Sequence, residues 1–276
     1  MSGKRFSMIC MAGLTAAMVG YGTLAAMAET ANDDPWPALA RELFKNRPLA
    51  DGSGLIALDM PYRAEDAAIV PLTFRATMPA GDKRTVKALT IIIDWNPSPV
   101  AAVFTFGSKA DVSALSTRVR VNSYTNVHAV AELSDGKLYM VKRYVKAAGG
   151  CSAPAIKDAS EAKINIGQMR FRQFAAPAGS PGPSRQAQIM IRHPNNSGLQ
   201  MDQITHLYIP PFFVKDLKVW QGDRLVLAMD GGISISENPS IRFTYLPNGA
   251  ASFRAQAVDT DKHVYKGEWP ASPSGM

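Results

Sequence analysis

Cysteine is scarce in this 276-residue chain: there are two, Cys10 and Cys151. Two cannot staple a disulfide-dense mini-domain or supply a multi-cysteine zinc or iron–sulfur centre. Charge is also modest, 19% of residues against 46% hydrophobic, which excludes general disorder and marks a folded globular chain. The four histidines, His128, His193, His206 and His263, are spread so that no two share a metal-ligand spacing. Asp259-x-Asp261 lacks the other ligands of a calcium loop, and Gly231-Gly232 has no phosphate-loop context. Neither a G-x-S-x-G elbow nor a dinucleotide fingerprint occurs. The sequence thus predicts no cofactor, no metal and no catalytic constellation of its own.

Long apolar runs are confined to one place. Lys4 and Arg5 precede a mostly apolar or small stretch from Phe6 to Leu24, and Ala26-Met27-Ala28 has the small-x-small form of a cleavage site. Residues 1–28 therefore read as a secretory signal peptide, and Cys10 leaves with it. No later stretch approaches the length of a membrane span. Of the formal charge of +7, Lys4 and Arg5 account for two, and the rest is spread evenly over the chain. No segment interleaves clustered basic residues with aromatics, so the basic pI predicts no nucleic-acid partner.

What is present is β-patterned. One short helix is predicted, with Asp34-Pro35 as its cap and first turn and with Trp36, Leu39, Leu43 and Phe44 at helical spacing before Pro48. Strands follow from the alternation of Val70 to Met78, from the apolar run Val86 to Ile93, and from Val100 to Phe106. Leu115 to Val121 alternates with Arg118 and Arg120 on the outward side. Val127 to Leu133 places His128 on its polar face, and a hairpin at Asp135-Gly136 leads into Leu138 to Val145. A second β-rich set runs from Ile164 to Phe171, Gln186 to His193, Phe212 to Val219, Leu225 to Ala228 and Ile241 to Leu246, with Asn248-Gly249 as a hairpin turn into Ser252 to Val258. Short strands at this spacing indicate antiparallel sandwiches, two of them by length. The boundary falls either at Ser152–Glu161 or in the Pro- and Gly-rich segment Ala175–Ser184.

Between the two sets lies Gly149-Gly150-Cys151-Ser152-Ala153-Pro154, with no large apolar side chain. Two glycines and small neighbours predict an exposed thiol on a flexible arm. Such a thiol keeps a pKa of about 8.5. It suits modification by partners better than unaided attack on a substrate.

These residues resemble a known family. Ile69-Val70-Pro71-Leu72, Ile93-Asp94-Trp95-Asn96-Pro97-Ser98-Pro99-Val100, Ser116 to Val121, Ala131 to Gly136 and Gly149-Gly150-Cys151 are similar to the SoxY sulfur-carrier subunit. Ile191-Arg192-His193-Pro194 with Ser197-Gly198, Ile209-Pro210-Pro211-Phe212-Phe213 and Ile235 to Pro239 are similar to its partner SoxZ. The resemblance implies an all-β protein of two immunoglobulin-like antiparallel β-sandwiches in tandem that pack on each other: a signal peptide (1–28), a SoxY-like carrier domain ending in the Gly-Gly-Cys arm (29–151) and a SoxZ-like domain (152–276). It implies a periplasmic carrier in sulfur or thiosulfate oxidation, with Cys151 as the covalent attachment point and Gly149 and Gly150 as the flexible arm. Its implied partners are sulfur-processing periplasmic enzymes, or a quinoprotein dehydrogenase and its cytochrome, since the fused form resembles carriers associated with such dehydrogenases. The alternative is a non-covalent adaptor for a PQQ-dependent alcohol or methanol dehydrogenase. Two departures from the family pattern stand out. Cys151 is followed by a further domain, so the arm is tethered at both ends, and Asn195 stands where a methionine is usual.

Overall fold

The computed structural model describes residues 34–154, 165–175, 179 and 183–271. The expected signal peptide lies outside them. Helix α1 (Trp36–Phe44) spans the predicted residues, but Pro35 rather than Asp34 takes the N-cap position and makes no side-chain cap. Lys45 ends the helix in the left-handed conformation. Of the described residues, none forms a helix long and apolar enough to cross a membrane.

The strands in chain order are β1 (Leu49–Asp51), β2 (Ile56–Asp59), β3 (Val70–Ala76), β4 (Val86–Ile93), β5 (Val100–Phe106), β6 (Ala114–Val119), β7 (Thr125–Leu133) and β8 (Leu138–Val145). The second half adds β9 (Met169–Ala175), β10 (Arg185–Ile191), β11 (Val214–Gln221), β12 (Arg224–Gly231), β13 (Ser240–Tyr245), β14 (Ser252–Asp259) and β15 (Val264–Pro270). They form a nine-stranded sheet, β1-β8-β7-β4-β5-β12-β11-β14-β15, and a six-stranded sheet, β2-β3-β6-β13-β10-β9. All neighbours are antiparallel except β1 and β8.

The two halves meet edge to edge in both layers. In the larger sheet Leu227 to Gly231 of β12 pair with Phe106 to Ala102 of β5, and in the smaller one Arg242 to Thr244 of β13 pair with Ser116 to Ala114 of β6. Each junction covers a strand edge that an isolated sandwich would leave unpaired. Alternation supplies the core between the layers: Val70, Leu72 and Phe74 of β3 face Leu89, Ile91 and Ile93 of β4, and the cluster runs on through Ile189, Leu217, Phe243 and Phe253.

Four expectations change. Ile164 to Phe171 is not one strand: among its described residues Asn165–Gly167 form a turn, and β9 starts at Met169. Asn248-Gly249 is not a hairpin, because the strands it joins belong to different sheets. The Asn248 amide donates to the Gln221 carbonyl (2.9 Å), which ties the crossing to the end of β11. His128 is buried rather than on a solvent face. α1 covers that side of β7, with Trp36 stacked on the imidazole at 3.6 Å and Leu39, Leu43 and Phe44 against Ile92, Val130 and Leu138. Arg120 is not outward but 1% exposed, for reasons that belong to the site. The Pro- and Gly-rich segment separates β9 from β10, which pair with each other from Ala175 and Arg185 onward, so it closes a hairpin within the second half.

Candidate functional site at the seam of the two halves

Cys151 sits where the halves meet, and it is buried, not exposed. The glycines before it act through close packing, not mobility. Gly149 adopts φ +76° and donates its N–H to the Asn122 carbonyl (2.9 Å), while Gly150 donates to that of Val121 (3.0 Å). A Cβ on Gly150 would lie 2.1 Å from the Ala67 carbonyl oxygen, so only glycine lets these backbones approach. The N–H groups of Ser152 and Ala153 return to the Gly149 carbonyl and close a turn that carries Cys151 inward.

The second half clasps this turn. The Ser197 hydroxyl donates to the Cys151 carbonyl, and the buried Gln200 amide donates to that of Ala153 (3.1 Å). Ser197 N–H in turn donates to the Gln200 side-chain oxygen (2.9 Å), which fixes the two clasping groups relative to each other. Beneath the turn, Arg120 donates from Nη1 to the Gly150 carbonyl (3.2 Å) and from Nη2 to the Asn195 carbonyl (3.3 Å). It therefore spans both halves from just past the end of β6 and cannot face solvent. Burial raises the Cys151 pKa to about 11, with the positive charge of Arg120 opposing that rise. Closed in this way the thiol is protonated at neutral pH and is a poor nucleophile.

Other residues brace the seam. Asn96 donates to the Arg120 carbonyl and to the Ser234 hydroxyl (both 2.8 Å) and accepts from Asn122 N–H (2.8 Å). Ser236 donates to the Ala68 carbonyl (2.7 Å), and Arg118 to that of Asn238 (2.9 Å). Asn195, at φ +46°, accepts from Val214 N–H (3.1 Å) and donates its own N–H to His193 Nδ1 (3.1 Å), so the unusual asparagine is structural. His193 is buried against Phe212, with its Nε2 3.6 Å from Asp259. Burial lowers the His193 pKa despite the attraction of that carboxylate. His206 and His263 stay apart from Cys151 on loops, His263 hydrogen-bonded to Asp259. Among the described residues no group of three or more His, Cys, Asp or Glu is arranged to hold a metal ion.

Asn96, Arg118, Arg120, His193, Ser197, Ser236 and Asn238 come from four separate stretches of sequence, and all brace the seam that holds Cys151. Residues 40–151 match the family of the sulfur oxidation protein SoxY, and residues 175–270 match that of the sulphur oxidation protein SoxZ. The chain is a SoxY–SoxZ fusion. It is thus a carrier and adaptor of sulfur oxidation rather than a catalyst.

Among solved structures, the sulfur carrier protein SoxY from Chlorobium limicola f thiosulfatophilum is 26% identical, with 41% of this chain and 91% of that one covered and a TM-score of 0.34. The superoxide reductase (neelaredoxin) from Ignicoccus hospitalis is 9% identical, with 40% and 90% covered and a TM-score of 0.29. No curated protein matches the sequence. The SoxY match ends on Cys151 itself, and the SoxZ match contains the clasping Ser197 and Gln200. Sequence reasoning missed Arg120, Ser197 and Gln200 as site residues. Arg120 and Ser197 lie inside the quoted motifs, Ser116 to Val121 and Ser197-Gly198, whereas Gln200 falls two residues beyond the second and carried no signal.

Proposed function

We propose that this SoxY–SoxZ protein is a periplasmic carrier that holds a sulfur compound covalently on Cys151 and presents it to partner enzymes. One observation carries the reading: the cysteine that ends the SoxY match sits under the seam on which the motif residues of both domains converge. Loading is exchange at sulfur. The Cys151 thiol loses its proton, the thiolate attacks a divalent sulfur of the donor, an S–S bond forms, and the bond to the donor's leaving sulfur breaks with its electron pair. In the closed state the thiol is covered, so loading requires the turn Gly149–Ala153 to leave its clasp. Hydrogen bonds to Asn122, Val121, Arg120, Ser197 and Gln200 hold it there, and the tether at both ends makes the excursion short. The SoxZ domain closes the clasp and offers docking surface.

The burial of Cys151 favours a second reading: a non-covalent adaptor for a quinoprotein dehydrogenase, in which the thiol only fills space. Intact-mass spectrometry of protein isolated from its native periplasm separates the two. The carrier reading expects a sulfur-containing adduct on the wild type that Cys151→Ser abolishes. The adaptor reading expects no such adduct, and dehydrogenase activity in cells that survives Cys151→Ser but falls when the gene is deleted.

A further inference from the structure

Arg120 is among the largest fully buried side chains of the protein. Both of its paired nitrogens, Nη1 and Nη2, donate to neutral carbonyls, those of Gly150 and Asn195, and its Nε has no hydrogen-bond partner. No carboxylate of the described residues lies within ion-pair distance; Glu237, Cys151 and Asp66 act on its charge only through space, and burial disfavours that charge. A buried guanidinium without a counter-ion is costly, and proteins rarely keep one that has no anion to meet. Packing alone does not explain it, because an apolar residue of similar volume would fill the space without the penalty.

The position of the charge is informative. Nη1 lies on the carbonyl of Gly150, the residue joined to Cys151, and the turn carries the Cys151 side chain inward toward the same buried region. Negative charge at residue 151 would arise in two ways, from ionisation of the thiol or from an anionic end group on whatever the sulfur carries. A planar guanidinium with a spare N–H is suited to either.

We infer that Arg120 is the counter-cation of the closed arm, a cargo-holding residue that neutralises anionic charge at position 151 and so selects anionic over neutral sulfur adducts for storage under the clasp. The inference rests on the carrier reading for the word cargo, but its physical content is testable without cargo. Cys151→Asp and Cys151→Asn place nearly isosteric side chains at the site, one anionic and one neutral, in the full-length protein.

With Arg120 present, the Asp variant should melt above the Asn variant at pH 7.5 by about 2 °C or more. That gap should close as pH falls through the carboxylate range. In an Arg120→Gln background the order should reverse, since the carboxylate is then buried unpaired. If Arg120→Gln does not fold, Arg120→Lys keeps the charge and should keep the order, and the pH dependence in the Arg120 background decides. An Asn variant as stable as the Asp variant, or a gap that ignores pH, overturns the inference. Absence of a native sulfur adduct would sink the carrier reading while leaving this result standing, so the two failures are distinguishable.

Discussion

The Ser197 hydroxyl hydrogen-bonds the carbonyl of Cys151, so a SoxZ side chain holds the backbone of the residue that ends the SoxY domain. Gln200 repeats the contact two residues on, at Ala153. The fused chain thereby turns what composition suggests is a free arm into a clasped one.

Removing the clasp should uncover the thiol. A hydrogen bond of this kind contributes about 1 kcal/mol, so Ser197→Ala with Gln200→Ala should speed labelling of Cys151 by a disulfide reagent by roughly ten- to thirtyfold at constant pH. Stopped-flow labelling under native conditions measures this. Equal rates in the double variant and the wild type would show that the clasp does not control access.

The two glycines should fail differently. Gly149→Ala meets only the Ser152 Oγ at 3.9 Å, an ordinary contact, but must adopt φ +76°, a strain of about 1 kcal/mol. Gly150→Ala drives a Cβ into the Ala67 and Val121 carbonyls, and should cost more than about 2 kcal/mol or displace the turn. Urea melts of the two variants give the comparison.

Alkaline and acid limbs of stability have distinct origins. Folding raises the Cys151 pKa from 9.0 to about 11, so the folded state holds its proton more tightly. Stability from this group is present below pH 9 and is lost as pH rises toward 11, and Cys151→Ala should flatten that limb. His193 is shifted the other way: its folded pKa lies below 6.5, the unfolded chain takes up the proton first, and stability falls as pH drops through 6.5. For Asp259, burial is outweighed by hydrogen bonds from Tyr265 and His263, which lower its pKa, so its share is lost only as pH falls below 3.8. Denaturant midpoints between pH 3 and 11, with His193→Phe as the control for the middle step, resolve the three.

Helix α1 should contribute through one residue above all. Trp36 covers His128 and the Ile92, Val130, Leu138 patch, so Trp36→Ala should cost about 2 kcal/mol and raise hydrogen exchange in β7 and β8. A loss below about 0.5 kcal/mol would mean that the helix docks without stabilising the sheet.

Because β5 pairs with β12 and β6 with β13, the halves should remain together after a protease site inserted within 155–164 is cut. Gel filtration should show one species containing both fragments. Separate elution would show that the covalent link, not the shared sheets, joins them.

Much of the fold was legible in the sequence where one local rule decided it. Val86–Ile93, Val100–Phe106, Leu138–Val145 and Trp36–Phe44 have the bounds that periodicity predicts, because alternation and helical spacing are properties of a single segment. β1, β2 and β15 were not predicted: β1 and β2 are three and four residues long, and β15 is patterned for an edge rather than a core. Asn248-Gly249 has the composition of a hairpin turn, but turn chemistry cannot tell which sheet the next strand joins.

The site divides in the same way. Sequence by itself singled out Cys151 as the cysteine left after the expected signal cleavage and placed it between two β-rich halves with the motifs of SoxY and SoxZ. Whether that thiol faces water was a tertiary matter. Small residues around a cysteine supply no cover of their own, yet Val121, Arg120 and Ser197, distant in sequence, come over it once the two halves share their sheets. Burial is set by what packs from elsewhere in the chain, so composition near Cys151 suggested freedom where the fold imposes a clasp.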